Sequence, residues 1–335
     1  MKDPADSPLR GDAARRYVEQ HHPYSWEEMT AFPRYIDIEP INSCNARCTM
    51  CGIDFDRRPL RRMRDELFDR IVAELALHRD EIERVGLFIN SEPLMDRRLA
   101  EKVAKLKAAG IRRTFLTTNA SLLSTPRAEE LLRAGLDVAY LSIDSLDPTT
   151  YERIRIGLSF DTVYRNAREF LRLRDRIRPQ TVVRITMVQL ESSTPSEEFI
   201  EHWRPLLAPR DQIVVTRGYN WGTAQDVIAK EEGRRHNLSP CLGLWTSLSI
   251  DVEGDVRMCC ADEAGTTRLG DLNHQTIEEV WQGAELARIR QVHLDGRRRE
   301  IALCDGCPIW TPQKHIAKVV LEPPPERSAC ERRLR

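Results

Sequence analysis

The sequence of 335 residues lacks any apolar run that approaches the ~20 residues needed for a membrane-spanning helix. Its first residues, MKDPADSPLRGD, are polar and contain no hydrophobic stretch of the kind found in signal peptides. The chain also lacks an excess of either charge, because it has 51 basic and 52 acidic residues. The Arg-rich runs RRPLRRMR and GRRRE have acidic neighbours and are expected to be solvated surface. We therefore expect a cytoplasmic protein that binds neither nucleic acid nor a membrane.

The chain has an odd number of cysteines, so they cannot all be paired in disulfides. A cytoplasmic compartment would also keep thiols reduced. Three of the nine cysteines lie within the short stretch CNARCTMCG, and the others lie far downstream. The positions are Cys44, Cys48 and Cys51 in the first group, and Cys241, Cys259, Cys260, Cys304, Cys307 and Cys330 in the second. This clustering calls for a role other than disulfide bonding.

Strand-like and helical segments alternate through the first two thirds of the chain. Strand-like runs lie at 35–40, 85–90, 113–119, 138–144, 181–189 and 212–218, and helical stretches at 64–79, 97–109, 126–134, 160–176 and 195–206. This alternation predicts an α/β fold with a parallel sheet and right-handed crossovers. Six units are too few for a complete eight-fold barrel, so we expect a partly closed βα barrel, with an open doubly wound sheet as the alternative.

The composition changes along the chain and suggests five regions. These are an N-terminal extension (1–33), the alternating α/β region (34–220), a polar linker (221–240), a small second domain (241–310) and a tail (311–335). The small domain contains short β-like runs and a helix at 276–291, and the tail has a short helix near 313–320. Gly110 is expected to follow the end of one helix, and Thr125 to cap the start of the next. The first cysteine group directly follows the first strand, where the loops of a parallel sheet build the site.

The three-cysteine loop suits an iron–sulfur cluster better than zinc. Zinc takes four ligands, and no fourth lies near Cys51. Iron–sulfur clusters are commonly held by four thiolates, so three would leave one iron of a four-iron cluster open to a ligand that is not protein. Half of a zinc site and buried structural cysteines are the alternatives.

The spacing Cys44-x3-Cys48-x2-Cys51 after the first strand resembles that of the radical S-adenosylmethionine (SAM) enzymes. The resemblance implies a partial (β/α)6 TIM-like barrel in which SAM binds the open iron and yields a 5′-deoxyadenosyl radical. NSEPL at 90–94 is similar to the family's GGEP segment, with Asn-Ser in place of Gly-Gly, and implies that Glu92 contacts the SAM amino group. Three further segments resemble family motifs: TTNAS (117–121), LSIDSLDP (141–148) and YERIRIGLSFDTV (151–163).

These segments imply further SAM-binding and catalytic residues. The cofactor-binding set is Met50, Glu92, Thr118, Asn119, Ser142, Asp144 and Gln189. Arg155 is expected to contact the reacting hydroxyl or a SAM carboxylate, with a structural ion pair as the alternative. Glu191 is expected near SAM or substrate. Asp262 and Glu263 would meet ammonium groups of a substrate or face solvent.

Residues 241–310 resemble the SPASM/twitch auxiliary-cluster fold, here with a β-hairpin and a helix. The resemblance implies a second [4Fe–4S] cluster, with Cys241, Cys259, Cys304 and Cys307 as ligands, in the shorter version that carries one auxiliary cluster. A zinc ribbon is the alternative, since C-x2-C is common there. Cys260 would replace Cys259, pack in the core or donate a hydrogen atom to substrate, and Cys330 is expected to be an ordinary thiol of the tail.

A cluster saturated by four thiolates has no open iron for substrate, so its natural role is electron transfer. Oxidation of a secondary alcohol needs such an acceptor, because hydrogen-atom abstraction removes only one of two electrons. We therefore expect a dehydrogenase of an aminoglycoside or aminocyclitol, resembling those of the butirosin, spectinomycin and hygromycin B pathways, served by a donor such as flavodoxin or ferredoxin. The alternatives are an aminoglycoside epimerase with Cys260 as hydrogen-atom donor, a ribosomal-peptide maturase, and a non-catalytic iron–sulfur electron carrier or scaffold.

Overall fold

The computed structural model describes residues 8–53, 59–190, 194–217, 238–307 and 317–319. The helices in these ranges are α1 (Gly11–Gln20), α2 (Trp26–Ala31), α3 (Asp65–Leu77), α4 (Leu99–Ala108), α5 (Thr125–Ala134), α6 (Pro148–Ile154), α7 (Phe160–Ile177), α8 (Ser196–Trp203), α9 (Ile277–Trp281) and α10 (Ala284–Leu294). Among the described residues, none of these helices has the length and apolar character needed to cross a membrane. The linker at 221–240 and the tail fall largely outside the described residues.

The strands form one large sheet and one small ribbon. They are β1 (Tyr35–Ile38), β2 (Arg47–Cys48), β3 (Arg84–Leu87), β4 (Thr114–Thr118), β5 (Val138–Ser142), β6 (Arg155–Ile156), β7 (Val182–Gln189), β8 (Gln212–Arg217), β9 (Ser247–Ile250), β10 (Asp255–Arg257), β11 (Arg268–Asp271) and β12 (Ala317–Val319). The large sheet has the order β11-β10-β9-β1-β3-β4-β5-β7-β8-β12, and β2 pairs with β6 alone.

Six central strands are parallel and follow the order of the chain, namely β1, β3, β4, β5, β7 and β8. A doubly wound sheet reverses its strand order at a switch point, and this one does not. The winding is therefore that of a barrel, as predicted. The barrel stays open because β1 and β8 pair with β9 and β12 rather than with each other.

Alternate side chains of the central strands face opposite sides of the sheet. On β5, Ala139 and Leu141 are buried in the hydrophobic core. Tyr140 lies on the other side, where the Arg184 guanidinium stacks over its ring at 4.0 Å from the centroid. The inner side of the open barrel therefore carries polar and aromatic groups, which suits a polar ligand.

The second domain continues the sheet of the barrel. Strand β9 runs parallel to β1, with Tyr35 opposite Ser247 and Ile38 opposite Ile250. Strands β10 and β11 then add antiparallel neighbours, which gives the expected β-hairpin. At the other edge β12 pairs antiparallel with β8, so the short helix predicted near 313–320 is wrong at 317–319. Pairing with an open sheet edge satisfies backbone groups that a helix would leave exposed on β8.

Helix boundaries agree with the predictions except at two places. The helix predicted at 276–291 is two helices, and Gly283 is the N-cap of the second. A Cβ atom on Gly283 would lie 3.0 Å from the carbonyl oxygen of Glu279, a tight contact that favours glycine at this break. The cap of α5 is Ser124 rather than Thr125. Gly110 does follow α4, at a φ of 85° that glycine adopts without strain.

A buried ion pair joins α7 to the loop before β8. Arg174 donates from Nη1 to Asp211 Oδ1 and from Nη2 to Asp211 Oδ2, each at 2.7 Å, and both side chains are 0% exposed. Asp211 also accepts the backbone N–H of Val183 and of Ala208, each at 2.8 Å. One carboxylate thus fixes the outer helix layer against the edge of the barrel.

We predict that Asp211→Ala lowers the free energy of unfolding by about 3–5 kcal/mol, because it removes the buried, bidentate partner of Arg174 and leaves its charge only the exposed Asp175. Urea denaturation followed by circular dichroism measures this. Glu169→Ala is the matched control, since it breaks an exposed ion pair with Arg172 and should have a much smaller effect. Equal losses in the two variants would contradict the prediction.

Candidate functional site

The first cysteine group lies in a loop that is fixed by the ribbon of β2 and β6. Cys48 stands opposite Arg155 in this ribbon. The N–H of Cys51 bonds the carbonyl of Cys48 at 3.0 Å, which folds the loop back on itself. The pKa of Cys44 is raised to about 11, mainly by burial and to a smaller extent by Glu92 and by the nearby thiols of Cys48 and Cys51. The three thiols therefore lie within electrostatic reach of one another.

Glu92 is a buried carboxylate beside this loop. Its Oε1 accepts from Thr118 Oγ1 at 2.7 Å, and its Oε2 accepts from the N–H of Asn119 at 2.7 Å. Its own N–H donates to the carbonyl of Ser43 at 2.8 Å, next to Cys44. Burial raises the pKa of Glu92, and the bonds from Thr118 and Asn119 oppose that rise. The structure thus brings together the predicted residues of three different segments.

Asn119 connects Glu92 to the cysteine loop. Its Nδ2 donates to Asn45 Oδ1 at 3.0 Å and lies 3.9 Å from Cys44 Sγ. Asn45 in turn donates to Ser121 Oγ at 2.9 Å. Sequence reasoning missed Asn45, although it stands inside the cysteine motif itself.

Ala120 has a φ of 60° and is fully buried. It is the fourth residue of the segment TTNAS, where the similar family motif, TNG, has glycine. A residue with a Cβ atom costs roughly 1–2 kcal/mol in this left-handed region. The turn after Asn119 therefore holds backbone strain that glycine would avoid.

Arg155 forms a buried ion pair with Asp144. Its Nε donates to Asp144 Oδ2 at 2.6 Å, and Asp144 Oδ1 accepts the N–H of Val188 at 2.8 Å. Burial lowers the pKa of Arg155, but the charges of Asp144 and Cys48 outweigh it and raise the net value. Arg155 and Asp144 therefore form an ion pair beside Cys48, as the alternative for Arg155 expected.

The other predicted cofactor residues lie in different surroundings. Met50 is buried within the cysteine loop, at 7% exposure. Ser142 accepts a bond from Thr186 Oγ1 at 3.3 Å on the inner side of the barrel. Gln189, at the end of β7, is exposed and does not join the Glu92 network. Glu191 lies outside the described residues.

The four cysteines predicted to hold the auxiliary cluster line one cavity. These are Cys241, Cys259, Cys304 and Cys307, and Cys260 lines it as well. Burial raises the pKa of Cys304, and the neighbouring Cys241 raises it further. Among the described residues, no group of three or more His, Cys, Asp or Glu side chains is close enough to hold a single metal ion. The cysteine thiols instead surround a shared cavity. Cys330 lies outside the described residues.

Cys260 lies close enough to Cys259 to share a hydrogen bond between the thiols. This bond and burial raise the pKa of the Cys259 thiol. The N–H of Ala261 also approaches Cys259 Sγ at 3.4 Å. Both adjacent thiols therefore reach the cavity, and Cys260 is not packed in the hydrophobic core.

Of the two alternatives for Asp262 and Glu263, exposure to solvent is wrong, because they are only 1% and 6% exposed. Asp262 accepts the N–H groups of Thr266 and Thr267 at 2.9 and 2.7 Å and also both of their hydroxyls, so it fastens the loop after the cysteines. The charge of Glu263 raises the pKa of Cys51, after the larger effect of burial. Glu263 therefore lies between the two cysteine groups.

Arg298 corrects the expectation that the GRRRE run is solvated. Its side chain is 4% exposed and lines the cavity of the second cysteine group. An irregular run of arginines has no periodicity that marks one member as buried. The only feature of the sequence that could have indicated the burial of Arg298 is its closeness to Cys304.

Comparison with known proteins agrees with this geometry. Residues 38–201 match the radical SAM superfamily, and residues 241–308 match an iron–sulfur cluster-binding domain, SPASM. A PqqA peptide cyclase of Xanthomonas axonopodis pv. citri (strain 306) is 24% identical over 315 residues, which are 82% of this chain and 80% of the cyclase.

Two solved structures share the fold. BtrN in complex with AdoMet and 2-DOIA superposes with a TM-score of 0.59 at 17% identity, over 85% of this chain and 98% of BtrN. Streptococcus suis SuiB bound to the precursor peptide SuiA gives a TM-score of 0.63 at 16% identity, over 82% of this chain and 70% of SuiB.

An open parallel barrel with a three-thiol loop at its edge defines the class of SAM-dependent iron–sulfur enzymes. More particularly, the chain is a radical SAM enzyme with a SPASM domain. Its cofactors are two iron–sulfur clusters and SAM.

We predict that Asp262→Ala loosens the loop that carries Cys259. Hydrogen bonds to a charged acceptor contribute about 1.5–3 kcal/mol each, so the amides of Thr266 and Thr267 should exchange at least about tenfold faster. Hydrogen–deuterium exchange measures this, with the exposed Asp295→Ala as the control in the same domain. Unchanged exchange at both amides would contradict the role given to Asp262.

Proposed function

We propose that the two cysteine groups hold the two clusters separately. Cys44, Cys48 and Cys51 hold the cluster that binds SAM, and they supply three of the four ligands that such a cluster takes. Cys241, Cys259, Cys304 and Cys307 hold the auxiliary [4Fe–4S] cluster. The geometry supports this assignment, because the first three thiols share one loop and the other four share one cavity.

The same proposal places SAM beside Glu92. A buried carboxylate suits the cationic amino group of SAM, and Thr118 and Asn119 orient that carboxylate from the neighbouring strand. Met50, Ser142, Asp144 and Gln189 complete the proposed pocket. When bound to the reduced cluster, SAM supplies a radical that removes a hydrogen atom from substrate.

The reaction we propose is oxidation of a secondary hydroxyl on an aminoglycoside or aminocyclitol to a ketone. This oxidation removes one hydrogen atom, one proton and one electron from the alcohol. With both clusters and SAM bound, the hydrogen atom would go to the SAM-derived radical, the electron to the auxiliary cluster and the proton to solvent. The observation that carries the proposal is the set of four cysteines around one cavity, which saturates a cluster and suits it to accept an electron. An external donor such as flavodoxin or ferredoxin supplies the electron that reduces the first cluster.

Two other functions have an observation in their favour. Cys260 lines the cavity next to Cys259, where a thiol would return a hydrogen atom to substrate in an epimerase. Similarity to a PqqA peptide cyclase and to SuiB with its precursor peptide favours a ribosomal-peptide substrate. BtrN, whose structure contains 2-DOIA, matches over 98% of its own length, and this supports the small-molecule substrate.

The cluster assignment predicts the iron content of variants. Wild type should contain about eight irons per chain after anaerobic reconstitution, since each cluster holds four. Cys48→Ala and Cys304→Ala should each fall to about four, because each removes a ligand of a different cluster. Colorimetric iron assay with Mössbauer spectroscopy measures both values. Loss of all iron from either variant, or no loss, would contradict the separate assignment.

The substrate assignment predicts a product two hydrogens lighter than the substrate. The reconstituted protein is incubated with SAM, a reductant and candidate aminoglycosides, and the products are weighed by mass spectrometry. Cys304→Ala should still cleave SAM but form little ketone, whereas Cys48→Ala should do neither. A product of unchanged mass in H2O that gains one deuterium in D2O would favour the epimerase. Modification of a precursor peptide alone would overturn the small-molecule substrate.

A further inference from the structure

Arg298 is a buried cation in the wall of the auxiliary cavity. It begins a short 3-10 turn, Arg298–Glu300, after α10. Its Nη1 donates to the carbonyl of Ser239 at 2.9 Å, and its Nη2 lies 3.5 Å from the carbonyl of Cys307. Its Nε is buried and has no hydrogen-bond partner. These contacts hold the guanidinium rigidly against the second cysteine group.

Within the described ranges, no ion pair joins Arg298 to an Asp or Glu side chain, although Asp37 lines the same cavity. A buried charge is costly unless a counter-charge compensates it. The negative groups that meet this need are the thiolates of the cavity. The side chain of Arg298 lines the same cavity as the thiols of Cys241, Cys259, Cys304 and Cys307.

We propose that Arg298 is a positioning residue that raises the reduction potential of the auxiliary cluster and so fits it to accept an electron from substrate. The inference rests on the proposed function for the source of that electron. Its physical basis is the fixed charge of a guanidinium, which stays protonated in proteins.

The direction of the effect follows from electrostatics. A cluster that accepts an electron becomes more negative by one charge, so a nearby cation stabilises the reduced state more than the oxidised state. Both groups are out of water, so solvent screens this attraction weakly. Asp37, on β1, lines the same cavity and acts in the opposite direction. Because Asp37 stays unchanged in every variant below, the comparison isolates Arg298.

The chain offers a matched control in Arg290. It is also a buried arginine, at 8% exposure, and its Nε donates to the carbonyl of Leu244 at 2.9 Å. Its guanidinium stacks on Trp281 and does not line the auxiliary cavity. Arg290→Gln therefore removes a buried guanidinium and its carbonyl bonds without removing charge from the cavity.

The test is the potential of each cluster in the reconstituted protein without substrate, measured by redox titration followed by electron paramagnetic resonance. Arg298→Gln should lower the potential of the auxiliary cluster by at least about 59 mV, a tenfold change in the equilibrium for one electron. Arg298→Lys should recover most of the wild-type value. Arg290→Gln should leave the potential unchanged, and the first cluster should not respond in any variant.

Three results would overturn the inference. These are an unchanged potential in Arg298→Gln, an equal shift in Arg298→Lys, or an equal shift in Arg290→Gln. If Arg298→Gln does not load the auxiliary cluster, Arg298→Met repeats the test with a side chain closer in shape. Loss of the auxiliary cluster from both Arg298→Gln and Arg298→Met, but not from Arg298→Lys, would support the inference, because only a positive charge at this position would then stabilise the cluster. Loss from all three would overturn it.

This readout is independent of the substrate. If the aminoglycoside assays fail while the potential shifts as expected, the proposed substrate class is wrong and the role of Arg298 stands. If product forms in wild type while the potential does not shift, only the role of Arg298 is wrong.

Discussion

The ion pair between Arg155 and Asp144 connects three parts of the barrel to the first cysteine loop. Asp144 follows β5 and also holds the backbone of β7 through Val188. Arg155 lies in β6, whose partner strand β2 contains Cys48. Because both charges are buried, separating them would leave an uncompensated charge inside the protein. This interaction therefore holds the cysteine loop against the sheet from one side. The bond from Glu92 to Ser43 and the bond from Asn119 to Asn45 hold the same loop from the other strands.

The two cysteine groups share one frame through β1. The first group follows this strand directly along the chain, and the second domain joins it sideways through β9. Asp37 lies in the middle of β1 and lines the auxiliary cavity. Glu263, which follows the second group, acts electrostatically on Cys51 of the first. A flexible connection between the domains would not keep these distances constant, whereas a shared sheet does.

Local patterns predicted the barrel and most of the site, because strand–helix alternation and short motifs are properties of neighbouring residues. The strand positions, the Glu92 segment and the cysteine groups belong to this class. Contacts between distant residues were not predictable from pattern. The run that contains Arg298 looks like any solvated arginine run, and its burial depends on a cavity formed by Cys241 and Cys304. The burial of Asp262 depends on Thr266 and Thr267, whose bonding gives no periodic signal. The break at Gly283 was missed because Ala284 and Ala287 continue the helical apolar spacing of Val280 across it.

The parallel pairing of β1 with β9 has a consequence for how the chain folds. Tyr35 meets Ser247 only after almost three quarters of the chain has been synthesised. Until then the outer edge of β1 remains unpaired, with backbone groups open to any other strand. Contacts of such long sequence separation form slowly, because loop closure must precede their stabilisation. The cavity for the auxiliary cluster is therefore among the last features to form, and its cysteines, from Cys241 to Cys307, all lie in the last third of the chain.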